Sequence, residues 1–179
     1  MKYPITACLL ALACLPAAAR QAPEAKTAYV QAKDQAAAAY KAARAQCNQL
    51  AGNPKDLCVA EAKMNRIRTE QEAEAYYRNS LKAYTQARLR IADAVYARDK
   101  TKCGALTGNE KDVCMSQAKA TRIATRADAS ADKKAIEARN EAREDKREAE
   151  YKVAMEKCDA FAGAIKDNCV AAAKAQFAR

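Results

Sequence analysis

The feature that most constrains this 179-residue chain is a cysteine motif that occurs three times, Cys-x4-Gly-x2-Lys-Asp-x-Cys. The three copies span residues 47–58, 103–114 and 158–169. A tyrosine lies seven residues before the first cysteine of each copy, and a lysine lies five residues after the second. Repetition at a fixed period indicates a tandem array of one supersecondary unit. The repeated tyrosines are Tyr40, Tyr96 and Tyr151, and we expect them to be packing residues.

Each copy of the motif is typical of the turn in a helical hairpin. Gly52 suits the left-handed position past a helix end, Asn53 can cap the next helix, and Pro54 fits its first turn. Asp56 places a carboxylate near the positive end of that helix. The third copy has Ala164 where the capping asparagine would be, so we expect its second helix to begin less cleanly. The predicted turns lie near residues 52–53, 108–109 and 163–164.

The two cysteines of each copy are predicted to bond to one another. Counted from the centre of the turn, they lie equally far along the two helices and therefore face each other. A disulfide needs α-carbons within about 6.8 Å, and small neighbours such as Ala43, Ala51 and Ala62 permit that approach. In chain-entropy models, a disulfide that closes so short a loop stabilises the folded state by about 3 kcal/mol. The predicted pairs are Cys47–Cys58, Cys103–Cys114 and Cys158–Cys169.

Composition favours helix throughout, because the chain has only 4 Gly and 4 Pro and is rich in Ala, Lys, Arg and Glu. Residues 54–107 and 110–162 each predict one long helix or a slightly broken one, on the order of 80 Å long. Gln71 and Glu74 interrupt the apolar stripe of the first, which predicts a kink or a change of packing partner there. Residues 137–150 have almost no bulky apolar side chains, which is typical of a solvated helical spacer.

These patterns together predict an all-α fold of tandem long helical hairpins in a single domain, residues 20–179. The hairpins would form an elongated antiparallel bundle or coiled coil, each turn stapled by a disulfide. An alternative is a strung-out chain in which only the stapled turns are compact. Packing between copies of the chain is a further possibility, since long amphipathic helices associate readily.

Residues 1–19 have the pattern of a secretory signal peptide, with Lys2, an apolar stretch and small residues before a mature start near Arg20. The apolar stretch is shorter than the roughly 20 residues that a membrane-spanning helix needs. Cys14 also follows a loose lipobox, so the alternative is lipidation there and anchoring to an envelope membrane. Export predicts a periplasmic or other oxidising location, where the six remaining cysteines form disulfides.

The sequence offers little for building a catalytic site, because the chain has no histidine. Histidine is the commonest general base and metal ligand, so we expect no enzyme activity, no catalytic residue, no metal and no cofactor. Zinc sites place ligands two to four residues apart and redox centres use Cys-x-x-Cys, whereas ten residues separate each pair here. A thiol-active or metal-binding exported factor is therefore only a third alternative.

The chain is basic, with 32 Lys and Arg against 22 Asp and Glu, and the excess is spread evenly along it. A nucleic-acid site would concentrate its basic residues, so we expect no specific nucleic-acid partner. Basic residues do recur near each motif, which gives a second functional hypothesis of weak binding to anionic envelope polymers or membrane. These residues are Lys55, Lys63, Arg66, Lys111, Lys119, Arg122, Lys166 and Lys174.

The motif followed by Ala-Lys, as in residues 47–63 and 103–119, resembles a group of small exported bacterial proteins of unknown role. These are often labelled cell-envelope TolA-like, and the resemblance covers most of the mature chain. TolA itself has a retained membrane anchor, a long helix and a globular C-terminal domain, so its role in envelope energy coupling does not carry over. The preferred expectation is a non-enzymatic structural or interaction protein of the cell envelope, with an envelope protein or an anionic polymer as its partner.

Overall fold

The structure is a computed structural model that describes residues 18–178, with side chains from residue 23 onward. Within that range it contains helices and no strand, which confirms the all-α prediction. Cys14 and residues 1–17 of the predicted signal peptide lie outside the described residues. The helices are α1 (Ala18–Cys47), α2 (Gly52–Arg78), α3 (Leu81–Cys103), α4 (Gly108–Cys158) and α5 (Gly163–Phe177).

The chain forms two compact units. The first unit ends at Ala118 and holds α1, α2, α3 and the beginning of α4. The second starts at Lys119 and holds the rest of α4 together with α5.

In the first unit, α2 packs against both α1 and α3. Tyr29 near the start of α1 stacks on Tyr77 near the end of α2, with ring centroids 5.1 Å apart. Asn53 at the start of α2 donates a hydrogen bond from Nδ2 to the carbonyl of Thr101 near the end of α3, at 2.8 Å. Neighbouring helices are therefore antiparallel. These three helices fold back on one another, which is the first of the two arrangements that the sequence left open.

The break between α2 and α3 takes only two residues. Asn79 adopts a left-handed conformation with φ of 40°, and its N–H donates to the carbonyl of Ala75. The Ser80 hydroxyl then accepts a hydrogen bond from the N–H of Ala83 at 3.2 Å and caps α3. Asparagine tolerates the left-handed region and serine is a preferred N-cap, so the pair ends one helix and begins the next. Gln71 and Glu74, where the sequence predicts a kink or a change of packing partner, lie inside α2, and the chain reverses beyond them at residues 79–80.

Helix α4 is a single helix of 51 residues. It occupies the part of the second repeat, residues 108–158, that corresponds to the whole α2–α3 hairpin, residues 52–103. Counting back from the next cysteine, Ala135 replaces the Ser80 of the turn, and alanine is the strongest helix former. Residues 137–150 are exposed at every position, in agreement with the predicted solvated spacer. The repeat thus forms a hairpin once and a continuous helix once.

The core is built mainly from alanine. Small buried side chains allow helices to approach more closely than the usual 8 to 10 Å between axes. Of the three alanines expected to permit this approach, Ala62 is buried, Ala43 is half-buried, and Ala51 is exposed and takes no part. Among the described residues of the first unit, Met64 is the one larger buried aliphatic side chain, and the buried alanines are Ala36, Ala62, Ala75, Ala87, Ala92, Ala94 and Ala118.

Asn53 joins the α1–α2 turn to the end of α3 and does not cap α2. The residue at the N-cap of α2 is Ala51, which makes no side-chain cap hydrogen bond. A β-carbon added at Gly104 would lie 2.9 Å from Nδ2 of Asn53 and 3.0 Å from the carbonyl oxygen of Thr101. The capping role predicted for Asn53 is therefore wrong, because its amide is used in a tertiary contact.

We expect Gly104→Ala to reduce the free energy of unfolding by about 1 kcal/mol, because the new methyl group displaces the Asn53 amide from its carbonyl. In an Asn53→Ala background, Gly104→Ala should reduce the free energy of unfolding by less, since the amide is already absent. Urea unfolding of both single variants and the double variant measures this coupling. Strictly additive effects would contradict the contact, and Asn48→Ala, at the equivalent exposed position after Cys47, is the control.

Candidate functional site at the stapled tips

Each hairpin turn carries one disulfide in the same geometry. We call residues 47–58, 103–114 and 158–169 the first, second and third tips. The bonds join Cys47 to Cys58, Cys103 to Cys114 and Cys158 to Cys169, which are the pairs expected from the spacing. The α-carbons are 5.6, 5.7 and 5.6 Å apart, well inside the limit for a disulfide.

The linkers lie at residues 48–51, 104–107 and 159–162, just before the predicted turn positions. The first cysteine of each tip is the last residue of its helix, whereas the second lies inside the next helix. The pair is therefore not symmetric about the turn, contrary to expectation. The last helical turn tightens, because the N–H three residues after the first cysteine donates to that cysteine's carbonyl at 3.1 Å in every tip. The first cysteines are at most 1% exposed, and the second ones are half-buried.

The glycine that occurs in every copy of the motif adopts a left-handed conformation at the start of the second helix of its tip. The φ angles are 59° at Gly52, 52° at Gly108 and 58° at Gly163. Nothing lies within 4 Å of a β-carbon built at any of them, so backbone conformation and not space requires glycine. Motif glycines therefore fix the direction in which the chain enters α2, α4 and α5.

The third tip starts its second helix as regularly as the first. Ala162 and Ala51 precede α5 and α2 with φ of −132° at both, and neither makes a side-chain cap hydrogen bond. The expectation that Ala164 would weaken the start of α5 is wrong. Its physical basis was a capping role for asparagine that the first tip does not use.

The repeated tyrosines pack against neighbouring side chains, as expected. The guanidinium of Arg66 lies 5.5 Å from the ring centroid of Tyr40, and Phe177 meets Tyr151 edge-on at 5.7 Å. Arg66 and Phe177 both lie eight residues after the second cysteine of their tip. The third repeat therefore substitutes an aromatic pair for a cation–ring pair at the same position. The ring of Tyr96 has the ammonium of Lys100 at 5.6 Å.

Some of the basic residues proposed for anion binding already form ion pairs with carboxylates. Arg66 pairs with Glu70 at 2.7 Å, and Lys166 pairs with Asp159 at 2.9 Å. Lys55 and Arg122 are half-buried. The first unit holds Lys55, Lys63, Arg66 and Lys111, and the second holds Lys119, Arg122, Lys166 and Lys174. The four that are exposed are Lys63, Lys111, Lys119 and Lys174.

The ion pair of the third tip has a measurable electrostatic signature. The hydrogen bond to Asp159, and then the charge of that carboxylate, raise the pKa of Lys166 above the usual lysine value. Asp159 follows Cys158 directly, where the other tips have Asn48 and Gly104. Sequence reasoning missed this pair, although an acid and a lysine on either side of a predicted turn were a visible signal.

No protein-family model, curated protein or solved structure matches this chain. Between residues 18 and 178, no helix has both the length and the apolar character to cross a membrane. The same part of the chain has no group of three or more His, Cys, Asp or Glu residues placed to hold a metal ion.

Removing the third disulfide by Cys158→Ala and Cys169→Ala should unfold α5. This helix has 15 residues and buries only Ala173 and Phe177, and a helix of that length is marginal by itself. Hydrogen exchange should show loss of amide protection in α5, with a loss of up to about 3 kcal/mol in local stability. Removing Cys47 and Cys58 is the control, because α2 also packs on α3 and should stay protected. Persistent protection of α5 would contradict the stapling role.

The Lys166 ammonium should titrate at a higher pH in the native protein than in Asp159→Asn, as followed by NMR of the side chain. Because its folded pKa is raised, the stability it contributes is present below the unfolded pKa and is lost as pH rises through the folded value. Asp167→Asn is the matched control, because Asp167 is the smallest contributor to the shift. An equal effect of both substitutions would contradict the pairing with Asp159.

Proposed function

We propose that this chain is a non-enzymatic structural or interaction protein of the bacterial cell envelope, exported to the periplasm. The observation that carries the proposal is that the repeated residues build and staple helical hairpins. Cysteines close each tip, glycines set its left-handed residue, and Tyr40 and Tyr151 pack along the helices. These recurring residues therefore have structural roles.

The disulfides support the proposed compartment. Three of them occur in a chain of this size, and structural disulfides persist in oxidising environments such as the periplasm. An alanine core buries little apolar area per residue, so covalent staples offset what packing does not supply. A scaffold that must keep its shape outside the cytosol would be built in this way.

Binding of anionic envelope polymers or membrane through the basic tip residues is the less supported alternative. Arg66 and Lys166 already hold carboxylate partners, and neither unit contains more than four of the eight residues. Exposed lysines on helices also serve solubility alone. Association with sacculi or anionic vesicles that moderate salt abolishes would favour this alternative over the scaffold.

A thiol-active or metal-binding role has little support in the described part of the chain. All six cysteines there are bonded in pairs. Enzyme activity also has little support, because the full sequence has no histidine, the residue on which most acid–base and nucleophilic sites depend.

The test is the intact mass of protein recovered from the native compartment, alkylated before or after reduction. We expect a chain that starts near Arg20, takes up no alkyl group before reduction, and takes up one on each of the six cysteines after it. An acylated chain starting at Cys14 would place the protein on a membrane. Free thiols before reduction would overturn the stapled scaffold and restore the redox alternative.

A further inference from the structure

A tyrosine cluster that the repeat does not explain lies in the first unit, at the end opposite the first tip. Of the 8 tyrosines in the chain, four occupy the start of α1, the end of α2 and the start of α3. Three of these rings are well exposed, Tyr76 at 70%, Tyr84 at 42% and Tyr77 at 40%. The fourth is Tyr29. Exposed aromatic rings in one place mark a binding surface more often than a packing defect.

Two of these tyrosines line a concave site of about 530 Å³. Tyr76 and Tyr77 form one wall, and the opposite side is formed by α1. The remaining lining residues are Glu24, Ala25, Ala28 and Asn79. Such a site offers aromatic faces, small apolar side chains, one carboxylate and one amide.

The site is held in shape by contacts outside it. Tyr77 stacks on Tyr29 at 5.1 Å with an interplanar angle of 10°, and the ammonium of Lys33 lies 5.3 Å from the Tyr29 centroid. The backbone of Asn79 is fixed in its left-handed conformation by the hydrogen bond to Ala75 at 2.9 Å. Tyr77 and Asn79 are therefore preorganised, whereas Tyr76 is free to meet a ligand.

We propose that this concave site binds a saccharide, with a pyranose ring stacked on Tyr76 and its polar groups hydrogen-bonded by Glu24 and Asn79. The C–H-bearing face of a sugar ring complements the negative face of an aromatic ring. A carboxylate accepts two hydrogen bonds, and an amide both donates and accepts, which matches vicinal hydroxyl and acetamido groups. The site does not depend on the scaffold proposal, and neither fails if the other does.

A peptide ligand fits the site less well. Proline-rich segments dock in grooves lined by several aromatic side chains. Here one lining ring, Tyr77, is already engaged by Tyr29, and polar side chains form much of the rest. A small open site of this kind predicts weak binding, with Kd on the order of millimolar.

The test is an amide NMR titration of the oxidised protein with chitotetraose and, separately, with cellotetraose. We expect saturable shifts at Glu24, Ala25, Ala28 and Asn79 with at least one of them. Tyr76→Ala should raise Kd about five- to tenfold, because it removes the exposed ring and leaves the bundle intact. Asn79→Gly keeps the left-handed backbone and removes only the amide, so it should also weaken binding.

Tyr84→Ala is the matched control, since Tyr84 is another exposed tyrosine of the cluster and does not line the site. It should leave the titration unchanged. The proposal is overturned if neither saccharide shifts these amides, or if Tyr76→Ala and Tyr84→Ala have equal effects. It is also overturned if a proline-rich octapeptide shifts these amides and the saccharides do not.

Discussion

The covalent bond between two helices at each tip is the interaction on which the rest of the structure depends. A disulfide holds the α-carbons 5.6 to 5.7 Å apart and fixes the end of one helix beside the start of the next. The buried residues of the described chain are mostly alanine, and small side chains bury little apolar area. The disulfides therefore offset what a thin core does not supply.

One repeat forms two different structures because of a few residues in its middle. Asn79 and Ser80 end α2 and cap α3, and Ala135 continues α4 through the equivalent place. The residues beyond the turn agree with this difference. Helix α3 packs on α2 and buries Thr85, Ala87, Ala92 and Ala94, whereas the spacer 137–150 is charged and exposed. A helix without an apolar face gains nothing by folding back.

Local geometry could be predicted from the sequence, and tertiary detail could not. Cysteine spacing and glycine position sufficed for the disulfide pairs and for the left-handed residue of each tip. The two-residue reversal at 79–80 carries a weak signal, since Asn-Ser also occurs inside helices and the polar residues at 71–74 interrupt the apolar stripe before it. Asn53 looked like a helix cap from its neighbours in sequence. Its partner, the carbonyl of Thr101, is 48 residues away, and only the packed bundle places it there.

The separation of 11 residues within every disulfide bears on how the correct bonds form as the protein oxidises. Among the six cysteines of the tips, the nearest alternative partner for Cys58 along the chain is Cys103, 45 residues away. Each doubling of loop length adds about 0.6 kcal/mol to the entropy of closure, so the native loops close first in an unfolded chain. Wrong pairings are thus disfavoured before any helix packs, and a chain that emerges unfolded into an oxidising compartment can acquire its correct bonds one hairpin at a time.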